Sequence, residues 1–223
     1  MEARAIQRLG MSILVSPLIL TSYVLEIFRI AWFIERLGKC TSAAQEAMLL
    51  PENYLLALNL AEDHRNDIHP GVDPIGIIRS VFVFLLKRNI QGASTIEQQF
   101  VRVVTNSYER TLTRKLREQL IAIALVRKIP KNIIASAYLH RAYFGDSCIG
   151  ILAFSKKHTK QQDDWNIAFI IKAVARLKYP EPATQSAVWL SKVSLRESYV
   201  EKKVMAAANK QFNHGQTATQ FAH

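Results

Sequence analysis

The chain is 223 residues long and 49% hydrophobic, with 29 Lys and Arg against 18 Asp and Glu, for a formal net charge of +11. That length fits one domain plus an appendage, and the charge implies either an anionic partner (phosphate, acidic lipid or nucleic acid) or a solvated basic surface. Two cysteines, Cys40 and Cys148, lack metal-ligand spacing and exclude a disulfide scaffold and a cysteine-rich zinc site.

Residues 1–34 contain an uncharged, mostly apolar run over 11–25, then Glu26, Arg29 and further apolar residues to Ile34. A bilayer span needs roughly 20 apolar residues, so the segment reads as an uncleaved membrane anchor, the alternative being an amphipathic or buried helix. No small-residue cleavage site follows it. Glu26 and Arg29 are expected to pair at i,i+3 or to snorkel toward the interface. Arg4 and Arg8 favour a cytoplasmic N-terminus, with Arg36 and Lys39 weighing against it; the body then lies outside the cytoplasm. Residues 35–52 read as a connector punctuated by Gly38, Ser42 and Pro51.

The main domain is expected over 53–200. An apolar run over 54–61 leads into a polar turn, where Pro70-Gly71 and Asp73-Pro74 mark irregular backbone. Residues 75–86 are strongly apolar and too short to span a bilayer; they either dip into one side of it or form an ordinary core helix. Ser94-Thr95-Ile96-Glu97 fits a capping box with Ser94 as cap, opening a helix to about Val104. The clearest helix covers 111–128, with Leu112, Leu116, Leu120 and Ile123 as its apolar stripe and Arg110, Arg114 and Glu118 stacked on the opposite face. Pro130 opens a further helix that Gly145 stops, and another covers 165–177. No period-2 strand stands out. Residues 201–223 read as a C-terminal extension, mobile from Gln211. The fold class is mainly α.

Glu62 and Asp63 close an apolar run beside His64, Arg65 and His69. A carboxylate there is a candidate general base, its pKa set by burial and nearby cations, or it is a solvated helix end. His64 and His69 match no helix-face ligand pair and have no evident third ligand, so no metal site is assigned and His69 is expected to orient the loop. Ser94, Thr95, Gln98 and Gln99 offer hydroxyl and amide groups to a sugar or peptide, or are a cap followed by exposed helix. Arg110, Arg114 and Lys115 suit diphosphate oxygens, and Glu118 among them is either an electrostatic helper or an intrahelical salt-bridge partner. No P-loop, dinucleotide fingerprint or catalytic-triad signature occurs.

Taken in order, these segments resemble glycosyltransferase family 51, the peptidoglycan glycosyltransferases, from about Tyr54 to Pro180. The first motif resembles Glu62-Asp63-x-x-x-x-x-His69-x-Gly71-Val72-Asp73, and the second Gln91-Gly92-Ala93-Ser94-Thr95-Ile96-Glu97-Gln98-Gln99. The third resembles Arg114-Lys115-x-x-Glu118 preceded by Arg110-Thr111-Leu112, the fourth Lys131-x-Ile133-Ile134-x-x-x-Tyr138-Leu139, and the fifth Tyr143-Phe144-Gly145 to Gly150-Ile151.

The resemblance implies a lysozyme-like helical domain with an N-terminal membrane-anchor helix and a second apolar patch at residues 75–86. It implies polymerisation of the lipid-linked disaccharide-pentapeptide lipid II into glycan strands. Glu62 would take the proton from the acceptor 4-hydroxyl and Asp63 would support it. Arg110, Lys115 and Arg102 (where the family usually has lysine) would hold the donor diphosphate. Glu118 would organise those cations, or a divalent cation, Mg or Mn, which is the one cofactor the resemblance allows. The implied partners are lipid II, the growing glycan strand, the membrane and a cell-wall synthase; nucleic acid is suggested by charge alone and is not expected. The implied location is the bacterial inner membrane, single-pass, with the catalytic domain on the periplasmic or outer face. The length implies a monofunctional enzyme without a transpeptidase domain. Departures are Asn66 for a usual aromatic, Asp67 for a usually larger residue, His140 for asparagine, Phe169 for glutamate, and the eroded stretch Ala153-Phe154-Ser155-Lys156. The rival readings are a non-catalytic relative that binds lipid II or a synthase, and a lysozyme-like glycan-cleaving enzyme.

Overall fold

A computed structural model of the chain describes residues 2–88, 92–159 and 166–220, which are mainly helical. The elements in chain order are α1 (Glu2–Leu14), α2 (Ser16–Ile27), α3 (Ala31–Gln45), α4 (Glu52–Glu62), α5 (Pro74–Lys87), α6 (Ile96–Val104), α7 (Leu112–Lys128), α8 (Lys131–Arg141), β1 (Tyr143–Gly145), β2 (Cys148–Ile149), α9 (Ile151–His158), α10 (Ile167–Lys178) and α11 (Ala187–Gln220). They form two compact units: residues 1–50 with 62–142, and residues 51–61 with 143–223.

In the first unit, α6 packs against α3, α7 and α8. Its buried Ile96, Phe100 and Val101 recur at helical spacing and face those neighbours. The C-terminal half of α7 is buried without interruption from Leu120 to Leu125. The turn before α5 lies tight on α7: Gly71 has φ of +93°, and a Cβ placed there would come within 2.8 Å of the Ala122 carbonyl oxygen. Asp73 caps α5 by accepting from the Gly76 amide at 2.9 Å, and Arg65 clamps the same carboxylate at 2.6 Å. These two contacts hold the Asp73 carboxyl below the usual carboxylate range despite burial, which raises it.

In the second unit, α10 packs along α11, and β1 and β2 make a short antiparallel hairpin. Phe169, where the resemblance leads one to expect glutamate, is buried against Phe154 (5.6 Å between ring centroids) and Tyr54 (6.3 Å). An aromatic cluster therefore replaces a charge at that point. Val193, Val200 and Val204 form the buried stripe of α11.

Several expectations need correction. The connector over 35–52 is largely helix: α3 buries Phe33, Leu37, Cys40, Ala43 and Ala44. Gly38 does not interrupt it. The stripe on α7 is displaced, because Leu112 is 90% exposed and Leu116 46% exposed while Glu118 is buried. The helix starts after Arg110, with Thr111 as its cap. The cap of α6 is Thr95, not Ser94; its hydroxyl accepts from the Gln98 amide at 3.3 Å. Glu26 does not pair with Arg29 but bonds to Arg127 and Lys128 of α7. A short hairpin exists where no strand stood out, and α11 continues helical to Gln220. Trp165, the expected start of α10, lies outside the described residues, as does Gln91.

No single described helix is long and apolar enough to cross a membrane; α1 and α2 together would qualify by length and composition, but they meet at a bend of 66°. On α5, Ile78, Val81, Phe82, Leu85 and Leu86 are each more than half exposed, so this helix is not an ordinary core helix.

Gly71→Ala should cost about 2 kcal/mol or more in chemical unfolding, because the left-handed φ alone costs an L-residue about 1–2 kcal/mol and the Ala122 carbonyl blocks the added methyl. A loss below about 0.5 kcal/mol would show that the turn does not need its close seat on α7.

Candidate active site

The site is built on the loop that follows α4. Asp63 is buried, and its carboxylate receives three donors: His69 Nε2 at 3.0 Å, the Ile96 amide at 3.2 Å and Asn66 Nδ2 at 3.4 Å. The Gly71 amide donates to His69 Nδ1 at 3.1 Å, which leaves the proton of the neutral ring on Nε2, facing Asp63. Ile96 opens α6, so Asp63 also places a negative charge at a helix N-terminus. Beneath this knot, Lys131 Nζ bridges the carbonyls of Asn66 and His69 and lies 3.2 Å from Glu97, which also accepts from Asn66 at 3.0 Å. Asn66, the departure from the usual aromatic, therefore has buried polar partners. Asp63, His69 and Glu97 offer ligand atoms within 4.8 Å of one another, and the Lys131 ammonium lies 3.2 Å from Glu97 and 3.3 Å from His69 Nδ1.

Glu62 ends α4 half-buried. Its Oε2 accepts from Gln99 Nε2 at 3.4 Å, and Gln99 Oε1 accepts from the Tyr138 hydroxyl at 2.7 Å. Burial pushes the Tyr138 hydroxyl pKa up, and the Glu62 charge adds to this, so the phenol stays a donor. Tyr138 thus fixes Gln99, and Gln99 fixes the Glu62 carboxylate. Glu62 and Ser94 line one narrow cleft of about 30 Å3, with Asp73, Arg79 and Gly92 on its walls.

Ser94 joins this cleft to the cations. Its Oγ accepts from Lys115 Nζ at 2.9 Å and Arg102 Nη2 at 3.2 Å. Both cations also hold Glu118: Arg102 through Nε at 3.2 Å and Nη2 at 2.9 Å, and Lys115 at 3.2 Å. Arg114 completes the set through Nη1. Glu118 is 3% exposed on its side chain and the three cations 16–27% exposed, so the anion lies deepest and the cations are the members of the cluster that reach solvent. Among the described ion pairs three cations share the one Glu118 carboxylate, a surplus of positive charge that fits an incoming anion. Burial lowers the Lys115 pKa; Glu118 opposes this, and Arg102 and Arg114 add to it. Both Glu118 oxygens are taken by cationic donors, so these residues do not fit a divalent cation.

The sequence candidates divide as follows. Glu62, Ser94, Gln99, Arg102, Arg114, Lys115 and Glu118 come together around α6. Thr95 and Gln98 are buried and engaged inward: Thr95 Oγ1 donates to the Gly71 carbonyl at 2.8 Å, and Gln98 accepts from Lys115. Asp63 is likewise an internal anchor. Arg110 is exposed, precedes α7 and lies outside the cluster around Glu118. Lys131 and Tyr138 stand in the fourth motif, which by itself points to no role for either. A lysine in the first turn of α8, where the helix dipole disfavours a cation, was the available signal for Lys131. Arg36 of α3 lines the same crevice as Arg102 and Glu118, and nothing in the sequence pointed to it.

A carboxylate joined through Ser94 to a group of cations suits transfer of a sugar away from a phosphate leaving group. Residues 34–213 match the transglycosylase family model. The chain belongs to that family, glycosyltransferase family 51, whose domain is lysozyme-like. It is 33% identical over 162 residues to penicillin-binding protein 1A of Aquifex aeolicus, covering 68% of this chain and 22% of that one. It is 40% identical over 103 residues to penicillin-binding protein 1A of Escherichia coli (46% of this chain, 12% of that one). It is 37% identical over 98 residues to penicillin-binding protein 1B of Haemophilus influenzae (44% and 12%). The chain thus spans about a fifth or less of the length of these relatives.

Glu118→Gln should destabilise the protein by about 3 kcal/mol, because removing the buried anion leaves three cations facing one another. Denaturant titration would read this, and added salt should recover part of the loss. A change below about 1 kcal/mol would mean that solvent already compensates the cations.

Proposed function

We propose that this chain is a peptidoglycan glycosyltransferase that extends glycan strands from lipid II at the bacterial inner membrane, with its site on the periplasmic or outer face. The carrying observation is Ser94, which lines the Glu62 cleft and at the same time accepts from Arg102 and Lys115. A base and an anion seat are therefore within reach of one bound donor–acceptor pair.

On this reading the acceptor 4-hydroxyl lies against Glu62, and the donor diphosphate lies over Arg102, Arg114 and Lys115. Glu62 accepts the hydroxyl proton as the new C–O bond forms at the donor sugar. The bond from that sugar to the diphosphate breaks, and the cations offset the charge that grows on the leaving oxygens. Gln99 and Tyr138 hold the base in place. Glu118 holds the cations in place and touches no substrate. The exposed apolar residues of α1, α2 and α5 fit a lipid-borne donor.

Incubation with fluorescent lipid II should give polymeric glycan, and Glu62→Gln should cut turnover by roughly 100- to 10,000-fold while leaving Tm unchanged. Near-normal turnover by Glu62→Gln would remove Glu62 from the base role. Release of soluble fragments from purified sacculi, with no polymer from lipid II, would replace the reading with a glycan-cleaving one.

A further inference from the structure

Arg36 stands in α3, ahead of the first of the ordered motifs, and none of them contains it. Helix α3 is held in one register. Phe33, Leu37 and Cys40 are buried along one side, and the helix packs on α6, α7 and α8. Trp32 adds a tie to α7, because the Arg117 guanidinium lies 5.1 Å over its ring. At 3.6 residues per turn Arg36 then falls about 60° around the helix from Phe33, at the edge of the buried stripe. There it is half-buried and lines one crevice with Arg102, Arg114 and Glu118.

Nothing in that crevice is left to pair with it. Among the described residues Arg36 makes no hydrogen bond or ion pair. The neighbouring acid, Glu35, is bound to Lys39 at 2.7 Å. Glu118 is already shared by Arg102, Arg114 and Lys115. The hydroxyls of the crevice are also engaged: Thr105 Oγ1 donates to the Val101 carbonyl at 2.8 Å, and Ser107 Oγ to the Thr105 carbonyl at 3.2 Å. A fourth cation beside three adds repulsion, and a guanidinium fork of this kind is completed by an oxyanion. The crevice is about 10 Å3, room for a single oxygen atom or water and not for a whole phosphate. Arg102 joins it to the Ser94 side, since its Nη2 donates to Ser94 at 3.2 Å and to Glu118 at 2.9 Å, and Ser94 also accepts from Lys115. The cation group can therefore be approached at two places, Ser94 with Lys115 and Arg36 with Arg114.

We propose that Arg36 is a fourth anion-binding side chain of the site, which takes the second phosphate of a two-phosphate leaving group and so sets a preference for diphosphate over monophosphate. One phosphate lies on Lys115 and Arg102 beside Ser94, and an oxygen of the other enters the crevice between Arg36 and Arg114. A monophosphate fills the first position and does not reach Arg36. The inference rests on the diphosphate reading proposed above; what is its own is the uncommitted guanidinium that α3 brings to the crevice.

Calorimetric titration of the full chain with geranyl diphosphate and geranyl monophosphate tests this without turnover. Arg36→Gln should weaken diphosphate binding about tenfold and monophosphate binding less than about threefold, whereas Lys115→Ala should weaken both. The unfolding temperature of Arg36→Gln should not fall, because the change removes a repelled charge and no partner. Unchanged diphosphate affinity in Arg36→Gln beside a weakened Lys115→Ala would overturn the inference and leave the diphosphate seat standing. Unchanged affinity in both variants would remove the seat itself, and the role of Arg36 with it. Equal losses for the two probes in Arg36→Gln would overturn the preference for diphosphate. Should Arg36→Gln fail to fold, Arg36→Lys decides: it keeps the charge and loses the fork, so it should bind the diphosphate at least about threefold more weakly, and full affinity would overturn the contact.

Discussion

A single buried carboxylate organises the site. Asp63 is linked to its loop through His69 and Asn66 and to the start of α6 through the Ile96 amide. The residue before it is Glu62, and the helix it captures carries Gln99 and Arg102, with Ser94 just ahead. The proposed base, its amide support and the proposed anion seat therefore share one anchor. An unpaired carboxylate at that depth would cost several kcal/mol, so the loop and α6 cannot separate without exposing a charge or stranding it. Lys131 and Glu97 extend the same logic one layer down.

The second charge centre has a different character. A buried ion pair is weak evidence for stability, because desolvation offsets most of the attraction. Glu118 is surrounded by three cations, more than neutrality requires, and they are less buried than it is. The arrangement stores positive charge where an anion can reach it. Holding Arg102, Arg114 and Lys115 on a buried carboxylate fixes their geometry in advance, so little reorganisation is needed as charge develops on a leaving group. Arg102, where the resemblance leads one to expect lysine, presents a planar fork that binds both Glu118 oxygens and still reaches Ser94.

The helical class and the residues of the site were legible in the sequence, because Glu62, Ser94, Arg114, Lys115 and Glu118 sit in ordered motifs. Their roles were less so. Ser94 and Thr95 are both good caps, and only the packing of Gly71 on α7 decides that Thr95 turns inward and leaves Ser94 for the cations. Leu112 and Leu116 continue the apolar period of α7, yet the charged face of its first turns is the one that meets α6. Periodicity names two faces and does not say which is inside when the polar one has buried partners. The residues read as a connector failed for a related reason: Gly38 lowers helix propensity, and burial of Phe33, Leu37 and Cys40 outweighs it. The apolar N-terminal run was visible, whereas its partners Asp67 and Arg127 lie far along the chain and leave no local trace.

The central claim is that cations held by Glu118 form the seat of a diphosphate beside Glu62, with binding and proton transfer carried by separate residues. Calorimetric titration with a water-soluble prenyl diphosphate tests this without catalysis. The account predicts that Lys115→Ala weakens binding about tenfold or more, while Glu62→Gln stays within about threefold of the unaltered chain. Equal affinity of Lys115→Ala and the unaltered chain would contradict it.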